Sequence, residues 1–333
     1  MPLYGALAAV LAICAFLSIC IGESYIGLRT VIAILLHPLL QQDPFWSSAD
    51  ETIVLLIRLP RMLLAALVGS GLAVSGAVLQ SLFRNPMADP FILGISSGAA
   101  FGAAAVMMHG ISFGLGLFNL PFAAFLCGAA TILLVYQLAR VGRRVPTYTL
   151  LLSGIAVSAF MSACTSFLLF TSQGEFNQII FWMMGGFAGR TWDHVLVALP
   201  FTVFGGLAFF TLSRPLNALM FGEESALYLG IQVERLKKVL LAGTVIVTGA
   251  AVAVSGPIGF VGLITPHVVR LFVGPDHRVL LPVSILTGAI FLIVADMVSR
   301  TLIAPAELPI GVVTALCGAP FFLFLLKRKR GEA

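Results

Sequence analysis

Charge is what this chain of 333 residues has least of: Asp, Glu, Lys and Arg make up 10% of it, against 59% hydrophobic residues. So little polar surface cannot cover a water-soluble domain of this length, which excludes a soluble enzyme or a nucleic-acid-binding module. Lysine occurs only at 237, 238, 327 and 329, and none of these closes a GxxxxGK[ST] phosphate loop. If ATP drives the protein, another polypeptide hydrolyses it. No HExxH run offers a zinc protease. The five cysteines (Cys14, Cys20, Cys127, Cys164 and Cys317) sit singly in apolar runs, without disulfide or metal-site spacing, and read as small packing residues. Charge is also missing from the middles of those runs. The acids Glu23, Asp89, Asp193, Asp296 and Glu307 lie at their ends, so the ion coupling of a secondary transporter has no obvious seat.

What is present is a succession of long apolar runs. A bilayer core of about 30 Å needs about 20 apolar residues per helix. Uncharged runs of that length without period-two alternation predict helices and not a barrel. The expected fold class is therefore an all-α polytopic membrane protein. Cutting at charged and Pro/Gly clusters predicts ten spans, near 3–22, 60–83, 91–108, 117–138, 147–170, 192–212, 236–254, 258–272, 279–298 and 310–326. The first run lacks a basic flank and a small-residue cleavage site, and reads as a retained span. With both termini in the cytoplasm, fourteen of the nineteen Lys and Arg residues fall inside, as the positive-inside rule asks. The five on the outer face are Arg29, Arg58, Arg61, Arg190 and Arg300.

Three features go beyond packing. The longest hydrophilic insertion, RPLNALMFGEESALYLGIQVERLKK from Arg214 to Lys238, reads as two short amphipathic helices broken at Gly230. Leu216, Leu219, Met220, Leu227 and Leu229 supply an apolar side, and Glu223, Glu224, Glu234 and Arg235 a polar one. Its mixed charge suits docking of a cytoplasmic partner better than a basic lipid-binding face. Arg58, Arg61 and Arg300 stand near helix ends on the face that should be poor in cations; they can snorkel to headgroups or receive carboxylates of a docking protein. Two Gly/Pro-rich breaks, SGPIGFVGLITPH (Ser255 to His267) and APAELPIGVV (Ala304 to Val313), are tolerated at membrane depth only inside protein or along a cavity. Elsewhere, small residues at four-residue spacing (Ala65, Gly69, Ala73, Ala77; Gly98, Gly102) predict close helix packing, within one chain or across a dimer.

The run RNPMADPFILGISSGA, Arg84 to Ala99, holds a GxSxG pattern at Ser96. A serine nucleophile needs a histidine base within reach. His37, His109 and His194 fall on the opposite side, and nothing pairs His267 or His277 with Ser96, so a structural turn is the stronger reading.

On RLPR with GSGLAVSGAVLQSLFRNPMADPFILGISSGA, on LGIQVERLK, on SGPIGFVGLITPHVVRLFVGPDHR and on VADMVSRTLIAPAELPIGVVTALCGAPFFLFLL, the chain resembles the iron-chelate and cobalamin permeases of bacterial ABC importers, the type II importer membrane subunits. The resemblance runs from about Arg58 to the C-terminus. It implies one transmembrane domain, 1–333, with coupling helices at about 214–238, working as a homodimer in the bacterial inner membrane. It implies as partners two ATP-binding cassette subunits, which use ATP and Mg, and a periplasmic or lipid-anchored binding protein that delivers the cargo. It implies no cofactor or metal held by the chain and no catalysis by it. Arg58, Arg61 and Arg300 would receive the binding protein. Glu223, Glu224, Leu229, Gly230, Glu234 and Arg235 would couple to the ATPase, while Asn85, Pro86 and Met87 with Thr147 and Tyr148 would form the cytoplasmic gate. The cargo implied is a bulky metal chelate, a ferric siderophore or haem, with cobalamin as the alternative.

Overall fold

The structure, a computed structural model, describes residues 2–22, 24, 26–40, 44–142, 145–172 and 174–331. Glu23, Arg143 and Arg144 lie outside the described residues. The described residues form helices and connecting turns, with no strand among them beyond one isolated bridge.

In chain order the α-helices are α1 (Pro2–Cys20), α2 (Leu28–Leu40), α3 (Ser48–Thr52), α4 (Leu59–Leu82), α5 (Ile95–His109), α6 (Asn119–Ala139), α7 (Thr147–Thr171) and α8 (Phe176–Met183). There follow α9 (Trp192–Thr211), α10 (Ser213–Met220), α11 (Glu223–Tyr228), α12 (Val233–Ser255), α13 (Val261–Val273), α14 (His277–Thr301) and α15 (Ile310–Gly331). Each of the ten expected spans has a helix, and among the described residues seven helical stretches are long and apolar enough to cross a bilayer. Three of the ten, α5, α13 and α15, fall among the shorter apolar helices.

Four features depart from the expectation. The short apolar helix α2 lies between the first two spans. The second span begins far earlier than residue 60: α3 starts at a capping box, Ser47 with Asp50, and runs through a π-helical turn, Ile53–Arg58, into α4. The widened turn directly precedes Pro60, whose ring has no N–H to close an ordinary helical bond. A further helix, α8, occupies the stretch read as a loop before span six. Finally, the hydrophilic insertion has a second break, at Gly222 (φ +114°), between α10 and α11, besides the expected one at Gly230. Gly230 (φ +79°) turns the chain from α11 into α12.

The central helix is α4, nearly every residue of which is buried, packed against α14, α12, α13 and α9. Its small residues allow this. A Cβ on Gly69 would strike the Gly288 carbonyl of α14, and one on Gly76 the Gly262 carbonyl of α13. Gly98 and Gly102 of α5 lie likewise on Cys127, Thr131 and Ala123 of α6. The small-residue stripes therefore serve contacts within one chain. Around this core α7 turns Ile155, Phe160, Phe167 and Phe170 outward, as a surface facing hydrocarbon or another apolar partner does.

Candidate functional site

Three of the arginines expected on the outer face converge. Arg58, Arg61 and Arg300 are 5%, 7% and 5% exposed, and together with Gly22, Ser24, Ile53, Ile57 and Glu307 they line one cleft of about 190 Å³. Two of them finish α1. The last carbonyls of a helix have no partner within it, and Arg58 Nη1 donates to Ile19 O (2.8 Å) and Cys20 O (2.9 Å). Arg300 Nη2 reaches Ser18 O (3.1 Å) and its Nη1 reaches Ile21 O (3.2 Å). Asp296, wholly buried in α14, sits between Arg61 (2.9 Å) and Arg300 (3.1 Å), and Glu307 takes the other side of Arg61 at 2.8 Å. Three guanidiniums face two carboxylates in this cluster, which leaves one positive charge in surplus at the cleft. Snorkelling toward headgroups does not describe these side chains; they are held inside, by backbone carbonyls and acids.

Both Gly/Pro breaks meet at the C-terminal end of α8. Gly186 N–H donates to Ser255 O (2.8 Å), Ile310 N–H to Gly185 O (3.0 Å) and Gly311 N–H to Met184 O (3.1 Å). Irregular backbone in a membrane protein needs such partners. The junction borders a cavity of about 340 Å³ whose wall includes Arg61, Met107, Gln178, Trp182, Arg190, Ser255 and Glu307. Burial lowers the affinity of Arg190 for its proton, as expected of a cation largely withdrawn from water.

At the other end of the bundle lies the hydrophilic insertion. Its leucines divide: Leu216 and Leu219 of α10 are buried, whereas Phe221, Leu227, Tyr228 and Leu229 form an exposed apolar tip, Tyr228 being 92% exposed. Glu224, Gly230 and Arg235 are exposed beside them. Glu223 and Glu234 are turned inward to Lys237 Nζ, at 2.8 and 3.3 Å. Lys237 itself is buried. Glu234 also accepts the Val145 N–H (3.3 Å), two residues before Thr147 opens α7.

The turn after α4 is tightly specified. Arg84 takes φ +48°, Asn85 N–H donates to Gln80 O (3.0 Å), and the Asn85 side chain accepts from Met87 N–H (2.9 Å). Asp89 caps the next turn by accepting from Phe91 N–H (2.8 Å). Met87 and Tyr148 are exposed, at 38% and 74%. Leu82 and Phe83 at the end of α4 share one small cleft with Val145, Thr147 and Lys237, which sets the end of α4 beside the start of α7. Ser96 Oγ is buried without a hydrogen-bond partner, and both ring nitrogens of His277 are engaged elsewhere, by Asn217 and Ser81.

Sequence reasoning missed Asn217, His277, Ser81, Lys237 and Val145 as partners at the insertion's end of the bundle. Lys237 carried a signal: a lysine following glutamates at three and fourteen residues, at the start of a span, suits an ion-pair hub. His277 carried none, because its partners lie on α10 and α4.

Comparison with known proteins agrees with this geometry. Residues 10–328 match the model of the FecCD transport family. Over 283 residues the chain is 50% identical to the cobalamin import system permease protein of Halobacterium salinarum, covering 85% of this chain and 75% of the relative. It is 45% identical over 283 residues to the hemin transport system permease protein of Yersinia pestis, covering 83% of each. Among solved structures, an inward-facing metal-chelate type ABC transporter superimposes with a TM-score of 0.85 at 35% identity, covering 98% of this chain and 99% of that one.

Proposed function

The chain belongs to the FecCD transport family, and from that membership we propose that it forms, as a homodimer, the translocation path of an ATP-driven importer for a bulky metal chelate. It is a multi-pass permease of the metal-chelate, cobalamin and haem importer class. Haem and cobalamin lead as cargo because the relatives at 45% and 50% identity are named for them; a ferric siderophore follows. ATP hydrolysis falls to separate ATP-binding subunits, and a substrate-binding protein delivers cargo from outside, with both termini in the cytoplasm.

The observation that carries the reading is the division of the molecule into two polar ends. At the outer end, the surplus positive charge among Arg58, Arg61 and Arg300 offers a place for a carboxylate of the binding protein. Beside it lies the cavity with Arg190, Trp182 and Gln178, where an apolar wall and a few donors suit the rim of a large chelate. At the inner end, the exposed tip of Phe221, Leu227, Tyr228 and Leu229, flanked by Glu224 and Arg235, has the size and mixed character of a docking knob for the ATPase. The segments from Asn85 to Met87 and at Thr147 and Tyr148 serve as the inner gate.

The test is coexpression with the neighbouring genes, copurification, and binding-protein-stimulated ATP hydrolysis in proteoliposomes supplied with haem, cobalamin or ferric siderophores. Stimulation and uptake with one chelate are expected. Uptake by the chain alone, with no ATPase, overturns the importer reading.

A further inference from the structure

The inner cluster contains two separate hydrogen-bonded linkages, each joining one short helix of the insertion to one gate segment. The first begins at Asn217 on α10. Its orientation is settled by its partners: Oδ1 accepts from the His277 backbone N–H (2.9 Å), which can only donate, and Nδ2 donates to Asp276 Oδ1 (2.6 Å). His277 Nδ1 lies 2.7 Å from the same Oδ1, so that nitrogen carries a proton. The other ring nitrogen, Nε2, meets Ser81 Oγ in the last turn of α4. His277, the first residue of α14, and Ser81 are both wholly buried. The Ser81 carbonyl in turn accepts the N–H of Arg84 (3.2 Å), which opens the turn holding Asn85 and Met87. Asp276 remains a carboxylate, held below its usual range by the Arg278 N–H and the Asn217 amide.

The second linkage begins at Glu223 on α11. It passes through Lys237 to Glu234, and from Glu234 Oε2 to the Val145 N–H, immediately before α7 and its Thr147. No residue belongs to both linkages. One turns on an imidazole and the other on an ammonium group between carboxylates, and each spans elements that are distant in sequence.

We propose that these are two transmission arms: Asn217, His277 and Ser81 connect α10 to the Asn85–Met87 gate, and Glu223, Lys237 and Glu234 connect α11 to the Thr147–Tyr148 gate. Their residues are positioning residues that act through the gates and touch neither cargo nor nucleotide. The proposal rests on the coupling role given to the insertion. Rigid packing alone would also hold α10 against α4 and α14, but a packing contact predicts lost stability, whereas an arm predicts ATP hydrolysis that no longer moves cargo. A hydrogen bond to a ring of fixed orientation constrains direction as well as distance.

The experiment uses the intact permease–ATPase complex in proteoliposomes, with cyanocobalamin and haem as probes. Asn217→Ala, His277→Gln, Glu223→Gln and Glu234→Gln are measured for cargo taken up per ATP hydrolysed and for ATPase retained on purification. Each variant should keep its ATPase and lose between about twofold and about thirtyfold in cargo per ATP. Two substitutions in one arm should do no more harm than the worse one alone, while one in each arm should multiply. Cargo per ATP unchanged in Asn217→Ala and Glu223→Gln overturns the arms, as does multiplication within one arm, or loss of the ATPase from these variants. If His277→Gln fails to accumulate, the half-buried Asn217 on its short helix carries the test. Failure of the coupling role itself reads differently: Leu229→Asp would then leave ATPase binding and uptake intact.

Discussion

Arg61 and Asp296 meet at 2.9 Å although 235 residues separate them, and both side chains are buried. The pair ties the first turn of α4 to the outer part of α14 and is extended by Arg300 and Glu307. Breaking an isolated buried pair costs ~3–5 kcal/mol; here Asp296 would keep Arg300 and Arg61 would keep Glu307, so a smaller loss is expected. Arg61→Ala and Asp296→Ala should each lower the melting temperature of the detergent-purified protein. Unchanged melting in both would mean that the pair holds nothing together.

Those variants are poor probes of docking, since they disturb the fold as well. Glu307→Gln is better, because its side chain is one-third exposed and Arg61 keeps Asp296. Losing the competing carboxylate raises the surplus positive charge of the cleft. The binding protein should dock more tightly, by an amount that shrinks as salt is added, measured by surface plasmon resonance on nanodiscs. Weaker docking would show that Glu307 itself is a contact.

Gly76→Ala places a methyl group on the Gly262 carbonyl where α4 crosses α13. Overpacking of this kind costs about 1–3 kcal/mol, or more where backbone is struck, and the variant should be depleted from the membrane fraction. Gly5→Ala is the control, since nothing lies within 4 Å of the added carbon.

Burial pushes the Asp89 carboxyl up to about 6, against the opposing effect of the bond from the Phe91 N–H. The unfolded chain titrates near 4, so between about pH 4 and 6 the native state binds the extra proton. Stability therefore falls as pH rises through that window and stays at the lower level above it, a change of about 3 kcal/mol. Asp89→Asn keeps an oxygen for Phe91 and carries no charge. It should flatten this pH dependence and melt no lower than the wild type at pH near 7. A marked drop there would show that the ionised form is needed.

Much of the architecture was legible because a membrane restricts the choices: apolar length located the spans, and small-residue spacing located the crossings of α4 with its neighbours. The turn after α4 was legible as well, since Asn85, Pro86 and Asp89 are turn-forming residues, and Ser96 has found no base. Ser96→Ala should accordingly leave uptake unchanged. What could not be read were relationships between distant segments. Nothing local tells that Arg58 and Arg300 finish α1, or that Glu223 and Glu234 turn toward Lys237 and not outward. Nor does the string reveal that Gly222 makes a second break besides Gly230, because that turn rests on how α10 packs beneath α4.

The shortness of α13 has a consequence for the bilayer itself. Thirteen residues rise about 20 Å, and the fifteen of α5 about 22 Å, whereas the hydrocarbon slab is about 30 Å thick. Beside these two helices the remaining depth is filled by the irregular backbone around Gly256 and the end of α8, whose peptide groups are polarisable and mutually bonded. The region of low dielectric is therefore thinner there than in the surrounding membrane. A solute placed at that seam would be separated from water on either side by a shorter stretch of oil than the lipids alone would impose.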